Sequence, residues 1–96
     1  MTITDIKIRK LFHGGNVLAL VSIALDDEFA VHDIKVIQGA ERMFVAMPSR
    51  RGNDGVFRDV AHPISAQTRQ RMEQQILEAY QRYVAEQAAQ EVPAAQ

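Results

Sequence analysis

The stretch Val17-Leu18-Ala19-Leu20-Val21-Ser22-Ile23-Ala24-Leu25 decides the fold. Its apolar residues fall on both parities, with Val17, Val21, Ile23 and Leu25 on one and Leu18, Leu20 and Ala24 on the other. A strand with one wet face alternates apolar and polar residues, so an apolar set on both sides asks for cover on both faces. Working upstream, His13-Gly14-Gly15-Asn16 supplies a turn, because Gly and Asn accept positive φ at little cost. Before it, Thr4, Ile6 and Ile8 alternate with Asp5, Lys7 and Arg9, the pattern of a half-buried strand. Downstream, Asp26-Asp27-Glu28 turns into the Val- and Ile-rich run Phe29 to Ile37. Gln38-Gly39-Ala40-Glu41 turns again, and Met43 to Met47 is a fourth strand closed by Pro48. Turns this short join antiparallel neighbours, which predicts a meander.

The remainder reads differently. Ser49-Arg50-Arg51-Gly52-Asn53-Asp54-Gly55 is a polar loop with an Asp-Gly turn signal, and Val56 to Ala61 is a candidate short fifth strand. Pro63 disfavours helix at His62, and Ser65 is placed as an N-cap. Met72, Ile76, Tyr80, Tyr83 and Val84 then mark one face of a long helix at spacings of three and four. From Ala85 onward the chain is rich in Ala and Gln and is expected to fray, with Pro93 as a stop. The fold class is therefore α+β, an antiparallel sheet of four to five strands followed by a long C-terminal α-helix. The expected organisation is a single domain over residues 1–87 and a frayed or disordered tail over 88–96. One helix covers one face of such a sheet. A second copy of the chain is the economical cover for the other, and a strand tucked behind a loop is the plainer rival.

At 96 residues there is room for one small core. The absence of Cys excludes disulfide scaffolds, thiolate catalysis and thiolate metal sites. No apolar run approaches the roughly 20 residues of a membrane span. The opening Met1-Thr2-Ile3-Thr4-Asp5 lacks the basic-then-apolar pattern of a secretory signal, so a cytoplasmic protein without membrane association is expected. The net charge of −1 conceals an uneven distribution. Residues 42–71 carry Arg42, Arg50, Arg51, Arg58, Arg69 and Arg71 against Asp54 and Asp59, a net of +4, while the flanking segments are acidic. A basic middle third points to an anionic partner.

Arg50 and Arg51 lie on a Gly-containing turn, with Arg58 beyond the Asp54-Gly55 bend. Guanidinium groups at the tip and base of a hairpin can hold successive phosphates, and Gly52 and Gly55 let the backbone approach closely. The plain alternative is a solvated loop. Arg69 and Arg71 fall early in the helix, where Asp or Glu would be usual, which fits either an anion bound near the helix start or a position far enough along the helix to feel little dipole. His13, His32 and His62, even with Asp33 and Asp59, have no metal-ligand spacing, and His32 and Asp33 would point to opposite faces of a regular strand. No Ser/His/Asp order is recognisable, so neither catalytic residue, cofactor, metal nor small-molecule substrate is expected. Phe12, Phe29, Phe44 and Phe57 are most simply core residues. Phe57, beside Arg58, is the one candidate for stacking on a base.

Three blocks carry a resemblance: Leu25-Asp26-Asp27-Glu28-Phe29-Ala30-Val31-His32-Asp33-Ile34-Lys35-Val36-Ile37, Phe44-Val45-Ala46-Met47-Pro48-Ser49-Arg50-Arg51, and Phe57-Arg58-Asp59-Val60-Ala61-His62-Pro63-Ile64. Together with Thr4-Asp5-Ile6-Lys7-Ile8-Arg9, they resemble the stage V sporulation protein G (SpoVG) family over roughly residues 2–84. The resemblance implies a dimeric α+β protein that binds specific DNA sites, and for some members RNA, and regulates cell division, sporulation and other gene programmes. The family's loop usually reads Lys-Arg-Thr-Pro-Asp-Gly-Glu-Phe-Arg-Asp. Arg50 stands where Lys is usual, and Arg51, Asp54, Gly55, Phe57, Arg58 and Asp59 agree. Gly52 and Asn53 replace Thr-Pro, and Val56 replaces Glu. The expected nucleic-acid contacts are Arg50, Arg51, Arg58, Arg69 and Arg71, with Gly52, Asp54 and Gly55 setting the loop. The rival reading is an adaptor whose basic loop docks on an acidic protein.

Overall fold

The structure, a computed structural model, describes residues 1–91. Strands β1 (Ile3–Leu11), β2 (Val17–Leu25), β3 (Phe29–Gln38) and β4 (Met43–Ala46) form one antiparallel sheet in sequence order. Strands β5 (Ser49–Arg51) and β6 (Phe57–Asp59) pair with each other as a separate two-stranded sheet, and helix α1 runs over Ala66–Glu91. The α+β class and the meander are as the sequence predicts. The fifth strand does not extend that meander. Its partner is Ser49–Arg51, within the segment read as loop, and neither strand buries a residue. The helix is continuous through Glu91, and the expectation for residues 92–96 falls outside the described residues.

Strand β2 lies inside the sheet, between β1 and β3. Ala19, Val21 and Ile23 join Ile34, Val36, Val45 and Met47 in the core beneath Met72 and Ile76 of the helix. Leu18, Leu20 and Ala24, on the other parity, are half-buried. Leu20 faces a groove whose far wall is Pro48, Ser49, Arg50, Val60 and Ala61, so the chain after β4 screens part of the outer face.

Two irregularities shape the sheet. The β2–β3 hairpin turns through Asp26 (φ 53°) and Asp27 (φ 57°), two successive left-handed residues of the kind that tight hairpin turns demand. The first strand holds this turn: Thr2 N donates to Asp26 Oδ1 at 2.9 Å and Asp27 N donates to Thr4 Oγ1 at 2.9 Å. Further along, Val21 pairs with Ile34 but Ile23 pairs with Val31, so His32 and Asp33 together oppose Ser22. This is a β-bulge, with Asp33 at φ 62°. The regular alternation that would send His32 and Asp33 to opposite faces is broken there. His32 Nδ1 instead shares a 2.8 Å hydrogen bond with the Ser22 hydroxyl, which gives that buried polar side chain its partner.

Ser65 caps the helix, its Oγ accepting from Thr68 N at 3.1 Å. Met72 and Ile76 are buried, while Tyr80, Tyr83 and Val84 are half-buried on the same stripe. The helix packs on β1 and β4, the two outer strands, and so crosses the whole sheet. Glu73 fastens the β4 side: Val45 N donates to its Oε2 at 3.0 Å and Arg42 Nη1 donates to its Oε1 at 3.1 Å. Strand β4 pairs only with Lys35–Gln38, so Phe29–Asp33 of β3 has no strand beside it on that side among the described residues. Of the four phenylalanines expected in the core, Phe12 and Phe44 are half-buried, whereas Phe29 and Phe57 are 65% and 66% exposed.

Candidate nucleic-acid interface

The basic segment forms a hairpin that packs chiefly on itself. Its base closes where Val60 N donates to Pro48 O at 2.7 Å, just after Pro48 has ended β4. The register sets Arg50 opposite Arg58 and Arg51 opposite Phe57. Directly opposed residues of an antiparallel pair share a face, so Arg50 and Arg58 lie on one side and Arg51 and Phe57 on the other.

The tip is a closed unit. Gly52 N donates to Val56 O at 2.9 Å and Gly55 N donates to Gly52 O at 3.0 Å, with Gly55 at φ 81°. Asp54 Oδ1 accepts from Val56 N at 3.0 Å. Arg58 then reaches the same carboxylate with both guanidinium nitrogens, Nη2 to Oδ2 at 2.8 Å and Nη1 to Oδ1 at 3.3 Å. The Arg58 guanidinium, helped by the Val56 N–H, holds the Asp54 carboxyl below the usual carboxylate range, and Asp54 in turn raises Arg58. A Cβ on Gly52 would stand 2.9 Å from Arg58 Nη1 and 3.0 Å from Asp54 Oδ1, so a side chain there would need the ends of those two side chains to shift. At Gly55 the nearest atom is Arg51 Nη2, at 3.6 Å from where a Cβ would sit, which places the Arg51 side chain over the turn.

Of the five predicted arginines, the hairpin brings three together. Arg50, Arg51 and Arg58 line one shallow hollow with Gly52, Asn53 and Asp59. Arg50 and Arg51 are exposed, and no ion pair engages either among the described residues. Arg69 and Arg71 stand on α1, in its second turn. Arg69 lines a small hollow with Val45, Met47 and Pro63, apart from the hairpin. Arg42, counted in the basic third, is engaged by Glu73.

The sequence reading missed Lys35 and His32. Both line the groove between the outer sheet face and the hairpin base, together with Arg50 and Leu20. The parity of Leu20, which opposes Lys35, was the signal that would have placed Lys35 on that outer face. Among the described residues no three His, Asp or Glu side chains gather as a metal-binding group, and no helix is long and apolar enough to cross a membrane.

The fold and the site define a small α+β protein that carries a stand-alone arginine hairpin beside a four-stranded meander. The SpoVG family model matches residues 1–82. A relative from Lachnospira eligens is 54% identical over 82 residues, covering 85% of this chain and 93% of its own. One from Agathobacter rectalis is 58% identical over 80 residues, covering 83% and 92%, and one from Desulforudis audaxviator is 54% identical over 81 residues, covering 84% and 92%. All three bear the name "Putative septation protein SpoVG". The chain belongs to the SpoVG family.

Proposed function

We propose that this protein is a non-enzymatic regulator that acts in septation and gene expression by binding DNA, and RNA as a second ligand, as a cytoplasmic homodimer. The relatives' name supports the septation role. The observation that carries nucleic-acid binding is the pair of exposed arginines, Arg50 and Arg51, on a hairpin outside the main sheet. Phosphate oxygens are the complement of such guanidinium groups. Lys35 and His32 continue the surface along the groove from Arg50, whereas Arg69 and Arg71 stand on the helix, apart from the hairpin. Phe57, exposed and opposite Arg51, offers a ring on which an unpaired base can stack while the arginine holds its phosphate. Exposed Phe29 and Val60, both on the groove and beside the open edge of β3, are apolar surface that a second protomer would cover.

The test is fluorescence-anisotropy titration of duplex DNA and single-stranded RNA across salt concentrations, comparing wild type with Arg50→Ala/Arg51→Ala. With about 4–6 phosphates engaged per dimer, log K is expected to fall against log salt with a slope of roughly −4 to −5 on duplex DNA. The double variant is expected to lose most of the binding while keeping its fold by circular dichroism. Absence of binding to either nucleic acid at low salt would overturn the proposal and favour an acidic protein as the hairpin's ligand.

A further inference from the structure

The hairpin carries three arginines, yet its geometry treats them unequally. Arg58 is turned back on its own hairpin, where both terminal nitrogens reach Asp54. The carboxylate it meets is fixed from the other side by Val56 N. Gly52 lies against both, a Cβ there standing 2.9 Å from Arg58 Nη1 and 3.0 Å from Asp54 Oδ1. The pairing thus spans the tip: Asp54 belongs to the turn and Arg58 to β6. Arg51 runs toward the tip on the opposite face, over Gly55, and Arg50 faces the groove.

We propose that Arg58 is a positioning residue which, through Asp54, braces the tip so that Arg50 and Arg51 are presented to phosphates, and that Arg58 makes no phosphate contact of its own. The inference rests on the nucleic-acid reading of the hairpin and revises the role the sequence assigns to Arg58. The brace leaves the charge of the tip to its two outward arginines, since Asp54 and Arg58 cancel.

Electrostatics makes the proposal decidable by sign. If Arg58 were a phosphate contact held in reserve by Asp54, removing the carboxylate would free a cation and tighten binding. If Arg58 is a brace, Asp54→Ala weakens binding even though it removes a negative charge. The experiment is the same anisotropy titration with wild type, Asp54→Ala, Arg58→Gln and the double variant, each at several salt concentrations on one duplex. The brace predicts that each single variant binds about two- to fivefold more weakly, the scale of one exposed charge pair, and that the double variant is no worse than either. It further predicts that Arg58→Gln leaves the slope of log K against log salt unchanged, whereas a lost contact lowers it by roughly 0.9 for each protomer engaged on duplex DNA. Hydrogen exchange at the Gly52 and Gly55 amides, both donors within the tip, is expected to quicken in both single variants. Tighter binding by Asp54→Ala, or a reduced slope in Arg58→Gln, would overturn the inference. Failure of wild type to bind at all would instead overturn the functional reading beneath it.

Discussion

Asp54 illustrates how far one carboxylate can be shaped by its neighbours while remaining exposed. Its pKa is lowered first by the Arg58 side chain and then by the Val56 N–H, both of which favour the charged form. When the tip opens, both partners are lost and the carboxyl returns to its ordinary range. A depressed folded-state pKa means that the contribution to tip closure is fully present above the ordinary carboxylate value. That contribution is lost as pH falls through the depressed value. Acid titration followed by the amide resonances of Gly52 and Gly55 should therefore show the tip opening at a lower pH than an unpaired aspartate would dictate. In Arg58→Gln the midpoint should move upward. An unchanged midpoint would mean that the pair contributes nothing to closure. The pair was not legible in the sequence, because Asp54 and Arg58 are four apart in a segment without helical pattern, and only the turn brings them together. The bulge at Asp33 was equally hidden. Nothing in Val31-His32-Asp33-Ile34 distinguishes a regular strand from one that carries an extra residue.

At the scale of elements, apolar pattern and legibility go together. The two-sided character of Val17–Leu25 identifies a strand with cover on both faces, and the spacing of Met72, Ile76 and Tyr80 identifies the buried helix face, because burial writes a period into the sequence. The hairpin of Ser49–Arg51 and Phe57–Asp59 buries nothing, so it leaves no such period, and its first strand reads as loop. Contacts between elements through single polar groups are likewise unwritten. Glu73 is one: it joins α1 to the edge of β4 by accepting from Val45 N, with Arg42 as an outer partner. Glu73→Ala is expected to cost about 1–2 kcal/mol, since it leaves the amide of a buried strand residue without its acceptor. Arg42→Ala should cost less than about 1 kcal/mol, as the arginine side is exposed. Glu73→Gln should fall between wild type and Ala, because an amide oxygen can still accept from Val45. Thermal denaturation of the three variants, with hydrogen exchange at Val45, checks that order. Equal losses for Arg42→Ala and Glu73→Ala would place the stabilisation in the ion pair instead.

Taken whole, the molecule is elongated, 54 × 32 × 23 Å, with a helix over one sheet face and a self-contained hairpin emerging after β4. A second protomer seated on Phe29 and Val60 would set two such hairpins on one particle, so that phosphate contacts double without new residues. Sedimentation equilibrium of wild type and of Phe29→Asp checks that arrangement. A dimer in the first and a monomer in the second is expected, and a wild-type monomer at tens of micromolar, about a usual working concentration, would remove the dimer from the proposal. The same edge has another side. The run Phe29–Asp33 presents main-chain donors and acceptors in line with an exposed aromatic ring, the arrangement from which sheets grow from molecule to molecule. Asp33 interrupts that run with a charge and a left-handed kink, so an incoming strand finds only a short straight template. A bulge at that point shortens the flat template that edge-to-edge growth of a sheet requires.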